Sequence, residues 1–269
     1  MLSILIPSYL YDCTALKQAL EEQCRQLDTP TEIIVGDKPL PRAAHRNALA
    51  DAAKGDWLLM IDADARVDNP DFLKSYIEAQ KLGDVICGGL YHPDVNPNPQ
   101  ATLRYKYEKK ADKHRSAAER NQHPYLDITT FSLMIRHDIF NQIRFNETIT
   151  EYGYEDVLFG AELQKRGIKI VHIDNPLCHM GLESNEIYLS KIETALRTAK
   201  NMGDKVINFS RIATTAKKIE KWHIAPLYRL FYRLTKKQLR ANLLSKNPSL
   251  TILKIYKLGY FLNLTNEQT

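Results

Sequence analysis

Short apolar runs alternate with longer stretches of helical periodicity through the first 90 residues of the chain. The runs of apolar and β-branched residues predict buried strands over 2–7, 32–35, 57–61 and 84–89. The stretches between them place apolar residues at helical spacing and predict helices over 14–27, 41–54 and 70–82. This alternation predicts right-handed crossovers and an α/β fold, in which helices flank a mostly parallel sheet.

A loop rich in Pro and Asn over 91–100 leads into the second half of the chain. There the pattern predicts a charged helix over 103–120, a strand over 126–135, a helix over 155–165 and a strand over 168–173. From residue 183 onward nearly every segment has helical periodicity. We therefore predict an α/β domain over 1–182, made of the halves 1–92 and 93–182, and a helical region over 183–269.

Composition excludes several classes of protein. The chain has 269 residues, of which 44% are hydrophobic and 26% charged, so it is neither disordered nor collagen-like. Its four cysteines form no C-x-x-C pair, which argues against a zinc knuckle or a disulfide framework. No apolar run approaches the ~18 residues that span a bilayer, and the N-terminus resembles a strand rather than a signal peptide. We expect a cytoplasmic protein.

Acidic residues follow the predicted strands at the places where α/β sheets bind ligands. Asp37 follows the second strand, Asp62 and Asp64 follow the third, and Glu155 and Asp156 begin a later helix. Two carboxylates one residue apart repel each other unless a cation lies beside them. Oxygen ligands suit Mg²⁺ or Mn²⁺, and either ion would bridge a diphosphate. The alternative is that these residues are turn and helix-capping residues without a ligand.

Several motifs occur in the order found in family 2 glycosyltransferases. They are SILIPSY over 3–9, EIIVGD over 32–37, HRN over 45–47, KGDW over 54–57, DAD over 62–64, YED over 154–156 and CH over 178–179. Residues 1–180 therefore resemble this family, in its bacterial polysaccharide-assembly type. The resemblance implies a GT-A fold with a C-terminal helical extension. It also implies that 1–92 binds the nucleotide, that 93–182 binds the acceptor, and that 183–269 is a basic helical region.

For the nucleotide, the resemblance implies contacts from the first turn, the second strand and the second helix. Asp37 corresponds to an acid that hydrogen-bonds the base, usually uracil, and Arg46 to an arginine that lies along the nucleotide. Asp62 corresponds to a residue that contacts the ribose and the water shell of the metal. The implied nucleotide-binding residues are Pro7, Ser8, Tyr9, Asp37, Arg46 and Asp62. Leu10 and the run 38–40 depart from the family pattern, so the base and the donor sugar stay open.

The resemblance also implies a divalent cation, Mn²⁺ or Mg²⁺. Asp64 corresponds to its direct ligand, Asp62 lies beside it, and His179 corresponds to a further metal or diphosphate contact. A lone histidine is also commonly a structural hydrogen-bonding residue, and that interpretation of His179 stays open.

For catalysis, Asp156 matches the general base of inverting members and Glu155 a residue that binds the acceptor. Inverting transfer needs a carboxylate that removes the acceptor proton, and the leaving diphosphate needs its charge neutralised. Because Asp156 begins a helix, we expect the helix dipole to lower its pKa. The implied activity is transfer of a sugar from a nucleotide-diphospho sugar, with UDP as the expected nucleotide, to a glycan or lipid-linked oligosaccharide. The alternative is a non-catalytic GT-A module that binds nucleotide or glycan beside an active transferase.

The net charge of +5 is unevenly distributed, since residues 204–269 carry +10 and residues 1–203 carry −5. The pattern of residues 222–244 predicts an amphipathic helix. Its apolar stripe is Leu227, Leu230, Phe231 and Leu234, and its basic residues are Arg229, Arg233, Lys236, Lys237 and Arg240. One hypothesis is peripheral contact of 222–261 with the inner face of an anionic membrane. The other is that the stripe packs on the catalytic domain or a partner. No nucleic acid is expected, and the oligomeric state stays open.

Overall fold

A computed structural model describes residues 1–148, 151–203 and 210–264. The chain forms two compact units, and each is described by itself. The first consists of Met1–Asp94, Lys109–Thr150 and Glu155–Gly181. The second consists of Val95–Glu108, Glu151–Tyr154 and Leu182–Thr269. The domain boundaries given above stay predictions.

The strands of the first unit form two sheets. They are β1 (Leu2–Pro7), β2 (Thr31–Gly36), β3 (Trp57–Ile61), β4 (Ala65–Arg66), β5 (Val85–Cys87), β6 (Leu90–Tyr91), β7 (Ser132–Arg136), β8 (Ile170–His172) and β9 (Leu177–His179). The central sheet has the order β2-β1-β3-β7-β5-β8, and β4-β9-β6 form a small second sheet. In the central sheet β1 is parallel to β2 and β3, and β5 is parallel to β8. β7 is antiparallel to both of its neighbours.

Helices cover both faces of the central sheet. The helices up to residue 165 are α1 (Thr14–Cys24), α2 (Arg42–Ala52), α3 (Phe72–Ala79, followed by a 3₁₀ turn), α4 (Thr102–Asp112), α5 (Ala117–Arg120), α6 (His137–Ile143) and α7 (Glu155–Lys165). Of these, α4 begins in the second unit and is not one of the helices on the sheet faces. On one face α1 and α3 bury Leu16, Leu20, Phe72, Leu73 and Tyr76. On the other face α2, α6 and α7 bury Ala43, Leu49, Phe140, Phe159 and Leu163. A sheet covered on both faces needs apolar strands, and the predicted α/β fold is confirmed.

Two predicted elements differ from those observed. The helix expected over 103–120 ends at Asp112, because Ser116 and Glu119 form a capping box that begins a new helix at Ala117. The strand expected over 126–135 begins only at Ser132. The backbone N–H groups of Leu126 and Asp127 donate to the carbonyl of His123, so they are used in a turn instead of a strand ladder.

The second unit is helical. Its helices are α8 (Asn185–Met202), α9 (Arg211–Lys221), α10 (Ala225–Leu243) and α11 (Leu250–Asn263). Its core contains Leu103, Tyr188, Leu189, Tyr232, Leu239, Leu243, Leu253 and Tyr256. Within 1–148, 151–203 and 210–264, no helix is long and apolar enough to cross a membrane.

The helix α10 has two apolar faces with different surroundings. Tyr232, Leu239 and Leu243 are buried. The stripe that the sequence singled out is exposed: Leu227 by 69%, Leu230 by 55%, Phe231 by 43% and Leu234 by 72%. The buried face holds α10 in its own unit, and the exposed stripe is left to solvent in this chain.

Candidate functional site

A cavity of about 240 Å³ lies beyond the carboxyl ends of β1 and β3 in the first unit. This is the position where ligands bind in open α/β sheets. Three segments supply its walls: the turn after β1, the first turns of α2 and the loop after β3. The lining residues are Pro7, Tyr9, Tyr11, Leu40, Arg42, His45, Arg46, Asp62, Ala63 and Asp64.

Arg46 is a buried cation with unused hydrogen-bond donors. Its side chain is 3% exposed, and its Nη2 donates to Asp62 Oδ1 at 2.7 Å. Its Nε and Nη1 have no hydrogen-bond partner among the residues that the structure describes. Unsatisfied donors on a buried charged group are costly, so this guanidinium is suited to receive an anion that enters the cavity.

Asp64 lines the same cavity, and its Oδ2 lies 3.0 Å from His179 Nε2. Asp64 precedes β4 and His179 ends β9, and the pairing of Ala65 with His179 brings the two side chains together. Phe131 packs edge-on against the imidazole, with ring centroids 4.9 Å apart. A Cβ on Gly181 would lie 1.9 Å from Asp64 Oδ2, so the carboxylate occupies space that only glycine leaves open.

This donor set fits a divalent cation. One carboxylate oxygen and one imidazole nitrogen converge, and an ion of the Mn²⁺ or Mg²⁺ type commonly completes such a site with phosphate and water oxygens. In the described part of the chain, no cluster of three or more His, Cys, Asp or Glu is arranged as a metal site. Asp62, the third predicted metal residue, is instead bonded to Arg46. Asp64 and His179 are therefore the residues that could hold the ion.

Glu155 and Asp156 begin α7, as predicted, within the first unit. Thr130 Oγ1 donates to Asp156 Oδ1 at 3.0 Å, and Arg42 Nη1 lies 3.5 Å from the buried Glu155 Oε1. Burial and then the charge of Glu155 raise the pKa of Asp156 to about 6, and this increase exceeds the opposing effect of Arg46. The expectation that the helix dipole lowers this pKa is wrong, because desolvation and neighbouring carboxylates dominate.

The remaining predicted nucleotide residues differ in their surroundings. Pro7 and Tyr9 line the cavity. Ser8 is buried, and its hydroxyl donates to the carbonyl of Tyr11 at 2.5 Å, so it holds the turn together. Asp37 is exposed after β2 and lies outside the lining of the cavity. The roles of these residues in binding stay predictions.

Sequence reasoning missed several residues at the site. Arg46 and His45 follow Arg42 on α2 at spacings of four and three, so each lies next to Arg42 on the helix surface, and this periodicity could have revealed Arg42. Tyr11 lies in the turn after β1 and had no distinguishing signal. His92 contacts His179, and Asp112 contacts His92, but no sequence pattern links these residues.

The fold is that of a GT-A glycosyltransferase. Residues 12–144 match the family model described as Glycosyl transferase family 2. The chain thus contains a family 2 glycosyltransferase domain and is an enzyme of the glycosyltransferase class, which confirms the resemblance inferred from its motifs. Comparison with curated proteins gave no match.

Several solved structures match this chain at low identity. A mannosyltransferase from Pyrobaculum calidifontis, in complex with GDP-Man and Mn²⁺, is 10% identical over 97% of this chain and 84% of that chain, with a TM-score of 0.51. TarS from S. aureus is 14% identical over 95% and 54%, with a TM-score of 0.49. A Drosophila β-1,4-galactosyltransferase 7 is 16% identical over 67% and 68%, with a TM-score of 0.44. The similarity to the mannosyltransferase shows a shared fold.

Proposed function

We propose that this enzyme transfers a sugar, with inversion, from a nucleotide-diphospho sugar to a glycan or lipid-linked acceptor. The observation that carries the proposal is one cavity lined both by Arg46, a buried arginine with unused donors, and by Asp64, whose Oδ2 lies 3.0 Å from His179 Nε2. A metal-bound diphosphate requires a cationic side chain for its phosphate oxygens and protein ligands for its metal ion. Arg46 is suited to the first role, and Asp64 with His179 to the second. UDP is the expected nucleotide, from the family resemblance.

A metal-bound diphosphate accounts for both the unused donors of Arg46 and the contact between Asp64 and His179. Arg46 donates from Nε and Nη1 to phosphate oxygens, while Asp62 holds its third nitrogen in place. Asp64 and His179 would hold Mn²⁺ or Mg²⁺. A divalent cation there neutralises the charge that develops on the leaving diphosphate. The complex of the related mannosyltransferase with GDP-Man and Mn²⁺ supports this choice of ligands.

Asp156 supplies the base. The acceptor oxygen attacks C1 of the donor sugar, the bond from C1 to the phosphate oxygen breaks with its electron pair, and the acceptor proton passes to Asp156. Thr130 orients the carboxylate through both oxygens: its Oγ1 donates to Oδ1 at 3.0 Å and its backbone N–H donates to Oδ2 at 3.5 Å. Each carboxylate oxygen has a further lone pair, which can take the acceptor proton. A pKa of about 6 keeps Asp156 ionised near neutral pH while making it a stronger base than an ordinary aspartate. Glu155, held by Arg42, is assigned to acceptor binding.

Thermal shift and calorimetry with nucleotide sugars test the donor and cation assignments together. One nucleotide class should raise the Tm of the wild type with Mn²⁺, because a ligand that binds the native state stabilises it. Asp64→Asn should lose the Mn²⁺-dependent part of this shift, and the exposed Asp28→Asn should retain it. The proposal fails if no nucleotide sugar stabilises the wild type, or if Asp64→Asn responds to Mn²⁺ like the wild type.

The exposed stripe of α10 favours peripheral membrane contact as the setting of this activity. Leu227, Leu230, Phe231 and Leu234 lie at positions i, i+3, i+4 and i+7, so they form one face. Lys237 is exposed on the same helix, and the surrounding region is strongly basic. An apolar face among basic residues is typical of helices that lie on anionic lipid. Such a location would suit a lipid-linked acceptor in polysaccharide assembly.

Vesicle sedimentation tests this location. The wild type should pellet with vesicles of phosphatidylglycerol and phosphatidylcholine, and less with phosphatidylcholine alone. Replacing Leu230 and Leu234 together by Gln should reduce pelleting, because two apolar side chains are removed from the exposed face. The exposed Lys246→Gln serves as a single-charge control. Equal distribution of the wild type with both vesicles would refute the membrane contact.

The alternative of a non-catalytic module predicts nucleotide binding without turnover. Both Asp64 and Asp156, which such a module could lose, are present. Turnover therefore separates the two functions.

A further inference from the structure

His92 is a completely buried histidine that lies between the cation site and a second carboxylate. Its Nε2 is 3.1 Å from His179 Nδ1, and its Nδ1 is 3.0 Å from Asp112 Oδ1. Its exposed fraction is 0%. The four side chains form one continuous row, Asp112–His92–His179–Asp64, within the first unit.

The small sheet β4-β9-β6 builds this row from three strand ends. Asp64 directly precedes β4, His179 ends β9, and His92 directly follows β6. Tyr91 pairs with Cys178 in the parallel strands β6 and β9. The residues that follow them, His92 and His179, are therefore neighbours. The row is therefore set by backbone register, and α4 adds Asp112 at its last position.

Hydrogen-bond accounting gives the row a direction. An ionised carboxylate only accepts, so Asp112 accepts from the backbone N–H of His92 at 3.0 Å and from its Nδ1. In the arrangement with both rings neutral, His92 donates from Nδ1 to Asp112 and accepts at Nε2 from His179 Nδ1–H. The lone pair of His179 Nε2 then faces Asp64. Two acceptors 3.0 Å apart are suited to share a cation.

Neutralising Asp112 does not by itself require His92. Arg115 Nη1 lies 3.1 Å from Asp112 Oδ1, and Lys109 Nζ lies 3.9 Å from Oδ2. An apolar side chain would fill the buried position of His92 without the cost of burying a polar ring. The imidazole is needed where one group must accept from His179 and donate to Asp112.

We propose that His92 and Asp112 are positioning residues, which hold His179 with Nε2 directed at Asp64 to bind the divalent cation. The inference rests on the cation site of the proposed function. Residues behind a metal-ligating histidine orient its ring and fix its tautomer, and their loss commonly weakens metal binding by 10–100-fold.

Two substitutions at His92 separate positioning from packing. His92→Phe keeps an aromatic ring of similar size and removes the acceptor for His179. His92→Gln places an amide near the position of Nε2 and can still accept from His179. Asp94→Asn removes an exposed carboxylate near the same strand and serves as the control.

The measurement is calorimetric titration of each variant with Mn²⁺ in the presence of UDP, together with its Tm. His92→Phe should bind Mn²⁺ about 10–100-fold more weakly. His92→Gln should stay within about threefold of the wild type, and Asp94→Asn should be unchanged. If folded His92→Phe binds Mn²⁺ like the wild type, or if Phe and Gln weaken binding equally, the positioning role is refuted. If the wild type does not bind Mn²⁺, or Asp64→Asn binds equally well, the cation site of the proposed function is what fails.

Discussion

Replacing Asp156 with Asn should abolish catalysis and at the same time stabilise the fold at neutral pH. The carboxyl is partly buried beside Glu155, and Asp62 adds further negative charge. Burial is the largest cause that raises its pKa to about 6, from an ordinary value of 3.8. The ionised form is thus costly in the folded state, and Asn removes that charge with little change of shape.

The magnitude follows from linkage between proton binding and folding. A shift of about two pKa units corresponds to about 3 kcal/mol of unfolding free energy. The folded state binds the proton more tightly than the unfolded state, so the cost is present in full above pH 6. It is lost as the pH falls from about 6 towards 4. Weakening the hydrogen bond from Thr130 costs about 1 kcal/mol, so the net gain at pH 8 is about 2 kcal/mol.

Urea unfolding at pH 8 and pH 4 measures this gain. Asp156→Asn should have the higher free energy of unfolding at pH 8, and the difference should vanish near pH 4. Asp138→Asn is the matched control, because Asp138 lies in the first turn of α6 and its pKa is lowered by Arg136. That control should not be stabilised. If Asp156→Asn is equally destabilising at both pH values, burial of a costly carboxylate is the wrong explanation.

Three further substitutions test other parts of the structure. Arg46→Lys should weaken binding of nucleoside diphosphate about 10-fold, as measured by calorimetry. An ammonium group cannot bond Asp62 and two phosphate oxygens in the same planar arrangement as a guanidinium. Unchanged affinity would show that Arg46 does not bind the diphosphate. Gly181→Ala should weaken Mn²⁺ binding, because its Cβ would meet Asp64 Oδ2 at 1.9 Å, while binding of nucleotide without metal should persist. Gly259→Ala should lower the unfolding free energy by about 1–3 kcal/mol, because its Cβ would lie 2.2 Å from the ring of Tyr232. An unchanged unfolding free energy in urea would show that α10 and α11 can separate slightly.

The parts of the fold that the sequence predicted have short-range causes. The strands β1 and β3 could be inferred from their apolar runs, and Asp62 and Asp64 could be placed at the end of β3 because they directly follow its run. The break in the helix predicted over 103–120 was missed, although Ser116 and Glu119 carry the spacing of a capping box. The β-branched run 128–130 misled the strand prediction, because its neighbours use their N–H groups in a turn.

The parts that the sequence did not predict depend on residues far apart in the chain. The charges of Arg46, on α2, and Asp62, after β3, shift the pKa of Asp156, and both residues are far from Asp156 in the sequence. The contact of His92 with His179 depends on the register of a sheet whose strands are two or three residues long. Strands that short have no periodicity to detect, so the row from Asp112 to Asp64 could be found only in the folded chain.

Release of nucleoside diphosphate is the most direct test of the central claim, that this cavity performs cation-assisted sugar transfer. With the donor identified by thermal shift, an acceptor extract and Mn²⁺, the wild type should release diphosphate stoichiometrically with glycan product. Asp156→Asn should bind the donor normally and release diphosphate at least 100-fold more slowly, as expected for loss of a general base. Equal release by wild type and Asp156→Asn would contradict the account. So would the lack of any release by a wild type that binds both donor and Mn²⁺.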